Sequence, residues 1–219
     1  WLSGLYGGCY WVTSGFKKEP PVRIEKGWEM VHRNVARFRS MVLDILYFAK
    51  DRELAVVEVD LAALVSEFRD GVEKKASDAN TSVEITIAED TGIFSGDPQA
   101  IRAMLLNLID NSLDACRMDK EKEQHILKLR IRRESPWMVI EVEDNGIGMD
   151  QETREKIFSL FFSSKGIKGT GLGLFISNKI VDKHGGDITV ESEPGQGTRF
   201  EVRLPLSANP SIKPEDRAS

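Results

Sequence analysis

Several familiar signals are missing from this chain of 219 residues. It has only two cysteines, Cys9 and Cys116, and no Cys-x-x-Cys. That excludes a disulfide framework and fits a reducing compartment. No apolar run approaches the roughly 18 residues of a membrane span. The apolar opening, residues 1–16, is short and carries four glycines. There is no long basic run, and 30 Lys/Arg stand against 35 Asp/Glu for a net charge of −5. A nucleic-acid partner is therefore not expected. No signal-peptide pattern opens the chain. No Gly-x-x-x-x-Gly-Lys-Ser/Thr occurs either, which excludes a P-loop. Since the first residue is Trp1 rather than Met, the chain reads as a fragment cut inside a structural element.

What remains is globular. With 41% hydrophobic and 30% charged residues, the chain is neither disordered nor collagen-like. The charge is uneven: residues 1–50 hold eight Lys/Arg against four Asp/Glu, and the remainder 22 against 31.

Residues 1–50 follow a helical rhythm. Leu2, Leu5, Cys9, Val12 and Phe16 recur at steps of three and four. After Lys17-Lys18-Glu19-Pro20-Pro21 a heptad seam runs through Ile24, Trp28, Val31, Val35, Phe38, Val42, Ile45 and Ala49. Two helices joined by a Pro-containing turn make a hairpin. A lone hairpin cannot also bury Leu43, Leu46 and Tyr47, so a homodimeric four-helix bundle is expected. A hairpin packed only on the rest of the chain is the alternative.

From Asp51 the pattern changes. Residues 51–60 read as a linker with a short extended piece, and 61–77 as a helix. Residues 82–87 alternate as a strand. Asp97-Pro98 is a helix start, with Asp as N-cap and Pro in the first turn. This helix should run to about Cys116. Strands are expected near 126–133, 137–143, 187–192 and 198–204, and helices near 151–158 and 172–184. Together they describe an α+β chain: a helical hairpin at 1–52, then an α/β sandwich at 53–206 with a mixed sheet and helices on one face. Residues 207–219 form a polar tail.

Four stretches carry chemistry. Asn107 and Asn111 lie four apart, so their amides share one face of the 98–116 helix. An amide oxygen is a hard ligand suited to Mg²⁺ beside phosphate oxygens; a pair of buried, hydrogen-bonded asparagines would look the same. Asp144-Asn145-Gly146-Ile147-Gly148-Met149 follows a strand. A strand-end carboxylate can accept from an exocyclic amine, and glycines let backbone pass close to a flat ring; an ordinary Asn-Gly turn is the alternative. Phe158-Ser-Leu-Phe161-Phe162 leads into a loop with Lys165, Lys168, Gly166, Gly169, Gly171 and Gly173, then a helix. Such backbone N–H groups attract phosphate, and the loop can serve as a lid. Gly195-Gln196-Gly197-Thr198 opens the last strand. Thr198 comes near Asp144 if their strands are neighbours.

In this order and spacing, the four stretches resemble the N, G1, F/G2 and G3 boxes of the sensor histidine kinase catalytic domain, the GHKL (Bergerat) ATP-binding fold shared with gyrase, the Hsp90 chaperone and the MutL repair protein. The resemblance spans roughly residues 55–205, and the hairpin resembles that family's dimerisation and phosphotransfer bundle. It implies ATP and Mg²⁺ as ligands. Asp144 would bind the adenine amine, with Gly148 and Thr198 nearby. Asn111 would be the metal ligand, assisted by Asn107. Lys165 and the backbone of Gly169, Thr170, Gly171, Leu172, Gly173 and Leu174 would hold the β- and γ-phosphates. Ala115, Ile147, Met149 and Leu174 would pack around base and ribose, while Phe158 and Phe161 would brace the lid. Asp114 stands where many members carry a long or basic side chain, so it would face solvent or the metal.

The implied activity is an ATP-dependent protein-histidine kinase that passes the phosphoryl group to a response-regulator receiver domain. Family spacing places the acceptor histidine a few residues before Trp1. His32, followed by Arg33 in the second bundle helix, does not match the acceptor motif. The ATP-hydrolysing relatives carry a Glu where Asn107 stands, and an amide cannot act as a general base. The competing readings are a gyrase- or chaperone-type ATPase switch, a serine kinase of the mitochondrial dehydrogenase-kinase type, and a nucleotide-insensitive dimerisation scaffold. No membrane contact is expected within 1–219; the location is cytoplasmic, with a membrane-anchored parent compatible.

Overall fold

The computed structural model describes residues 6–13, 24–32, 34–35, 53–163 and 170–207. In the N-terminal part, 6–13 and 24–32 are helical, as are 34 and 35. The two segments meet closely through glycine. A Cβ on Gly27 would lie 2.9 Å from the Gly8 carbonyl oxygen, and one on Gly8 2.8 Å from Val31. Two of the expected helical segments are therefore packed together. Gly8 and Gly27 set the contact within one copy, on which Trp28 and Val35 are 57% and 52% exposed. The seam beyond Val35 lies outside the described residues.

The remainder builds one sandwich. Strand β1 (Val57–Asp60) leads directly into helix α1 (Leu61–Ser77). Asp60 caps that helix, its side chain accepting from Ala62 and Ala63 N–H at 2.8 and 3.1 Å. Strand β2 (Thr81–Ile87) and the short β3 (Ile93–Gly96) follow, then the long helix α2 (Pro98–Met118). Strands β4 (His125–Glu134) and β5 (Trp137–Asp144), helix α3 (Gln151–Lys156), helix α4 (Gly173–Lys183) and strands β6 (Asp187–Glu193) and β7 (Gly197–Pro205) complete it. The expected elements fall within a few residues of these bounds. The sequence reading lacked β3, which pairs antiparallel with β1.

The main sheet has the order β2-β4-β5-β7-β6. β2 and β4 are parallel; the other pairs are antiparallel. Period-2 alternation gives each strand one apolar face. Leu127, Leu129, Ile131, Met138, Ile140, Val142, Phe200, Val202 and Leu204 face the helices and are buried. On α2, Ile101, Met104, Leu105, Leu108 and Ile109 meet them in the same core. Each such side chain contributes roughly 1.5–3 kcal/mol by leaving water.

The other face of the sheet is ionic. Glu141, only 4% exposed, is held by Arg130, Arg132 and Arg199. Pairing with three guanidiniums keeps it ionised, its carboxyl below the usual range despite burial. Among the described residues helices cover one face of the main sheet only, and the site is built between that face and α2.

Candidate functional site

Helix α2 is anchored before it reaches the site. The Asp97 carboxylate accepts from Gln99 and Ala100 N–H at 3.0 and 3.1 Å and from Ala55 N–H at 3.0 Å. The Asp97 N–H donates to His184 Nε2 at 3.0 Å, while His184 Nδ1 donates to the Ile180 carbonyl at 2.7 Å. The imidazole is thus a buried, neutral clamp between the start of α2 and the end of α4. Burial lowers its pKa from the ordinary value.

A cavity of about 270 Å³ opens between α2, the ends of β5 and β7, and the start of α4. Asn107, Asn111, Asp114 and Ala115 line it from α2; Asp144, Ile147, Gly148 and Met149 from the end of β5; Thr170, Gly171, Gly173 and Leu174 from the approach to α4; and Thr198 from β7. Sequence segments up to 91 residues apart, Asn107 to Thr198, so meet at one place. Leu172, expected to contribute its backbone, turns its side chain away from them. It is 2% exposed and belongs to the hydrophobic core, because the turn into α4 points it inward. Lys165 and Gly169 lie outside the described residues.

The cavity wall carries a buried carboxylate, Asp144, and two amides, Asn107 and Asn111. Asp144 is buried and sits opposite Thr198 in the β5–β7 register, as a shared strand neighbourhood required. Burial raises its carboxyl above the ordinary range; the Ser112 hydroxyl and the Gly146 and Thr198 N–H groups hold back part of that shift. Its Oδ1 accepts from Gly146 N–H at 2.9 Å. Behind it, burial pushes the Cys116 thiol up to about 12, so Cys116 is an inert protonated wall. Asn111 Nδ2 donates to the Asn107 carbonyl at 2.8 Å, and Asn107 Nδ2 to the Gly173 carbonyl at 3.3 Å. The second bond ties α2 to the first turn of α4.

Glycine is required where the loops cross. Gly148 has φ +65°, and a Cβ there would lie 1.9 Å from the Glu193 carbonyl oxygen. Gly171 has φ +67° and would press its Cβ to 2.4 Å from the Phe161 backbone. Asn145 has a purely structural part: its Oδ1 accepts from Ile126 N–H at 2.8 Å and its Nδ2 donates to the Gln124 carbonyl at 3.2 Å. Lys122 staples the floor, with Nζ 2.9 Å from Asp119 Oδ2, 2.7 Å from the Gly195 carbonyl and 3.4 Å from the Gly146 carbonyl.

The aromatic cluster divides. Phe158 packs on the core and meets Phe200 edge-on at 6.5 Å. Phe162 lines the cavity. Phe161 is 62% exposed at φ +63°, and its N–H donates to the Gly171 carbonyl at 3.1 Å. Asp114 lines the cavity and pairs with Arg117 at 3.2 Å. Asp110, Ser112, Met118, Ile157, Ser163 and Phe200 are lining residues that sequence reasoning missed. Helical spacing from Asn107 could have found Asp110. Phe200 needed the strand order.

A one-layer helix cover with the site tucked beneath it, rather than at the carboxyl ends of a parallel sheet, puts the molecule among GHKL-type α/β sandwiches. The chain belongs to the family described as histidine kinase-, DNA gyrase B-, and HSP90-like ATPase, whose model matches residues 96–208. The signal transduction histidine-protein kinase AtoS of Escherichia coli strain K12 is 30% identical over 181 residues, 81% of this chain and 28% of AtoS. The catalytic domain of histidine kinase ThkA, in a nucleotide-free form, matches with a TM-score of 0.61 at 30% identity, covering 70% of this chain and 99% of that one. Histidine kinase ThkA in complex with response regulator protein TrrA matches in fold, with a TM-score of 0.73 at 23% identity, over 97% of this chain and 61% of that one. The chain spans 25% to 41% of the length of the first curated relatives it matches.

Proposed function

We propose that this chain is the catalytic core of a two-component sensor histidine kinase, with ATP as substrate. The observation that carries the reading is the convergence of Asp144, Asn111 and the 170–173 turn on one cavity. A buried carboxylate suits the exocyclic amine of adenine. The Gly148 crossing leaves room for a flat ring, with Ile147, Met149, Ala115 and Leu174 as its apolar walls. Backbone N–H groups at 170–173, at the start of α4, suit the phosphates; by the family resemblance Lys165 and the Gly169 backbone would serve the same groups.

The donor set also fits Mg²⁺. Among the described residues no three His, Cys, Asp or Glu side chains cluster as a metal cage. The Asn111 amide oxygen, assisted by Asn107, suits a cation that keeps waters and phosphate oxygens as its other ligands. When bound, Mg²⁺ supplies charge neutralisation between the phosphates. The protein's own part is to position the substrate and exclude water, as phosphoryl transfer requires.

The γ-phosphoryl group goes to a histidine on the bundle, upstream of Trp1, and then to an aspartate of a receiver domain. Two of the three histidines here are unsuited to accept it. His184 has both ring nitrogens engaged and is buried, and His125 is buried beside Asp119. His32 is exposed, its ring 4.8 Å from Trp28. The hairpin, 1–52, dimerises: Tyr6, Tyr10, Trp11, Trp28 and Val35 remain exposed on a single copy, an apolar surface that pairing would cover. Residues 53–206 form the ATP-binding unit, 207–219 a tail, and the site works in the cytoplasm.

The ATPase-switch reading is disfavoured by one contact. Asn107 donates to the Gly173 carbonyl; a carboxylate general base there could not make that bond. Incubating the full-length parent with γ-labelled ATP tests the proposal. Acid-labile label that chases onto a receiver domain supports it. Phosphate release without acid-labile label overturns it in favour of the ATPase.

A further inference from the structure

The loop after β5 is tied back to α2 by a ring of hydrogen bonds behind the cavity. The Ala115 carbonyl accepts from Asp119 N–H at 3.2 Å and from Ile147 N–H at 3.3 Å, and the Ile147 carbonyl accepts from Gly195 N–H at 2.7 Å. Lys122 closes the ring, its Nζ donating to the Gly195 carbonyl at 2.7 Å and to Asp119 Oδ2 at 2.9 Å. A third contact reaches the Gly146 carbonyl at 3.4 Å. An ammonium has three donors and no acceptor. Here each donor has an acceptor on a different segment: the end of α2, the loop after β5 and the β6–β7 turn.

Ala115 and Ile147 belong to the ring and also line the cavity, whereas Asp119, Lys122 and Gly195 do not line it. The cation therefore acts on the wall from outside. Packing does not account for its place, since the Lys122 side chain is 32% exposed and lies outside the hydrophobic core. Charge does. Asp119 is buried, and its Oδ1 accepts from the Glu121 and Lys122 N–H groups at 2.8 and 3.3 Å. The Lys122 ammonium, with the Glu121 N–H, holds its carboxyl well below the usual carboxylate range.

The segments so joined have little stiffness of their own. Gly146 and Gly148 sit in the loop, Gly195 and Gly197 in the turn, and glycine backbone has the most freedom to lose. A wall built from them needs an outside tie to keep one shape.

We propose that Lys122 is a positioning residue for nucleotide binding: its ammonium latches the loop after β5 and the β6–β7 turn to the end of α2, and so holds Ala115 and Ile147 at the spacing a nucleotide needs. This rests on the nucleotide reading of the cavity. With the latch removed the wall is competent only part of the time, and the apparent affinity falls by that fraction.

Lys122→Met keeps most of the stem and removes the ammonium. By calorimetry at a temperature where both proteins are fully folded, it should bind ADP about 5–20-fold more weakly than wild type. Hydrogen exchange should quicken at the Ile147 and Gly195 amides and stay unchanged within β4 and β5. In the full-length parent, KM for ATP should rise while kcat stays within about twofold, because Asn111 and the 170–173 turn are not members of the ring. Lys122→Cys alkylated with 2-bromoethylamine regains an ammonium at nearly the same reach, and should recover the affinity of wild type treated alike. Exposed Cys9 reacts in both proteins and buried Cys116 in neither. Unchanged ADP affinity, a fall in kcat alone, no recovery on alkylation, or a Lys122→Met that does not fold overturns the role of Lys122 and leaves the nucleotide site standing. Wild type that binds no ADP overturns the reading beneath it.

Discussion

His184 joins the two helices that frame the cavity, and replacing it should be costly in a pH-dependent way. In His184→Ala the Asp97 N–H loses its acceptor inside the protein, a penalty of about 1–3 kcal/mol. The vacated imidazole volume adds a cavity cost, for a total of about 2–4 kcal/mol. For a domain of this size each kcal/mol lowers Tm by about 2–4 °C, so a fall of roughly 4–16 °C is expected. The pH profile tests the cause. Burial holds the folded imidazole below its ordinary pKa of about 6.5, opposed by the Ile180 carbonyl and the Asp97 charge. Below pH 6.5 the unfolded chain takes up a proton that the folded one refuses. Stability is therefore full above that pH and declines as pH falls towards the lowered folded value. His184→Gln removes this titration. In urea melts at pH 8, 7, 6 and 5.5, the stability gap between wild type and His184→Gln should be constant above 7 and close below 6.5. Parallel profiles, or a Tm change under 2 °C for His184→Ala, would refute the clamp.

Three further outcomes are expected. Asp144→Asn should weaken ADP binding about 10–100-fold, the worth of a hydrogen bond to a charged group and more; it should melt no lower than wild type, since burial already disfavours the carboxylate. Affinity within twofold of wild type would contradict the role of Asp144. Gly148→Ala must hold a Cβ at φ +65° against the Glu193 carbonyl and should lose about 2–4 kcal/mol in chemical denaturation. An unchanged midpoint would show that the crossing is looser than described. Asn111→Leu should bind ATP equally with and without Mg²⁺, whereas wild type should bind more tightly with it; retained magnesium dependence would place the metal elsewhere.

Much of the fold was written in local signals. Asp97-Pro98 marked the start of α2, and alternation over 82–87 marked β2. The order of the four stretches brought thirteen of the sixteen expected site residues to the cavity wall. What escaped depends on partners distant in sequence. Four residues of β3 become a strand only because β1 lies beside them. The close approach of Gly8 and Gly27 within one copy had no signal in the heptad spacing. Ser112 looked like any small residue on a helix; its place on the cavity wall shows only once Asp144, 32 positions on, is set beside it.

The central claim is best tested by a crystal structure of the chain grown with a non-hydrolysable ATP analogue and Mg²⁺. The account expects the adenine amine on Asp144, the metal on Asn111 and the phosphates along the 170–173 backbone. An analogue bound elsewhere, or lying in this cavity with its base turned away from Asp144, would contradict it.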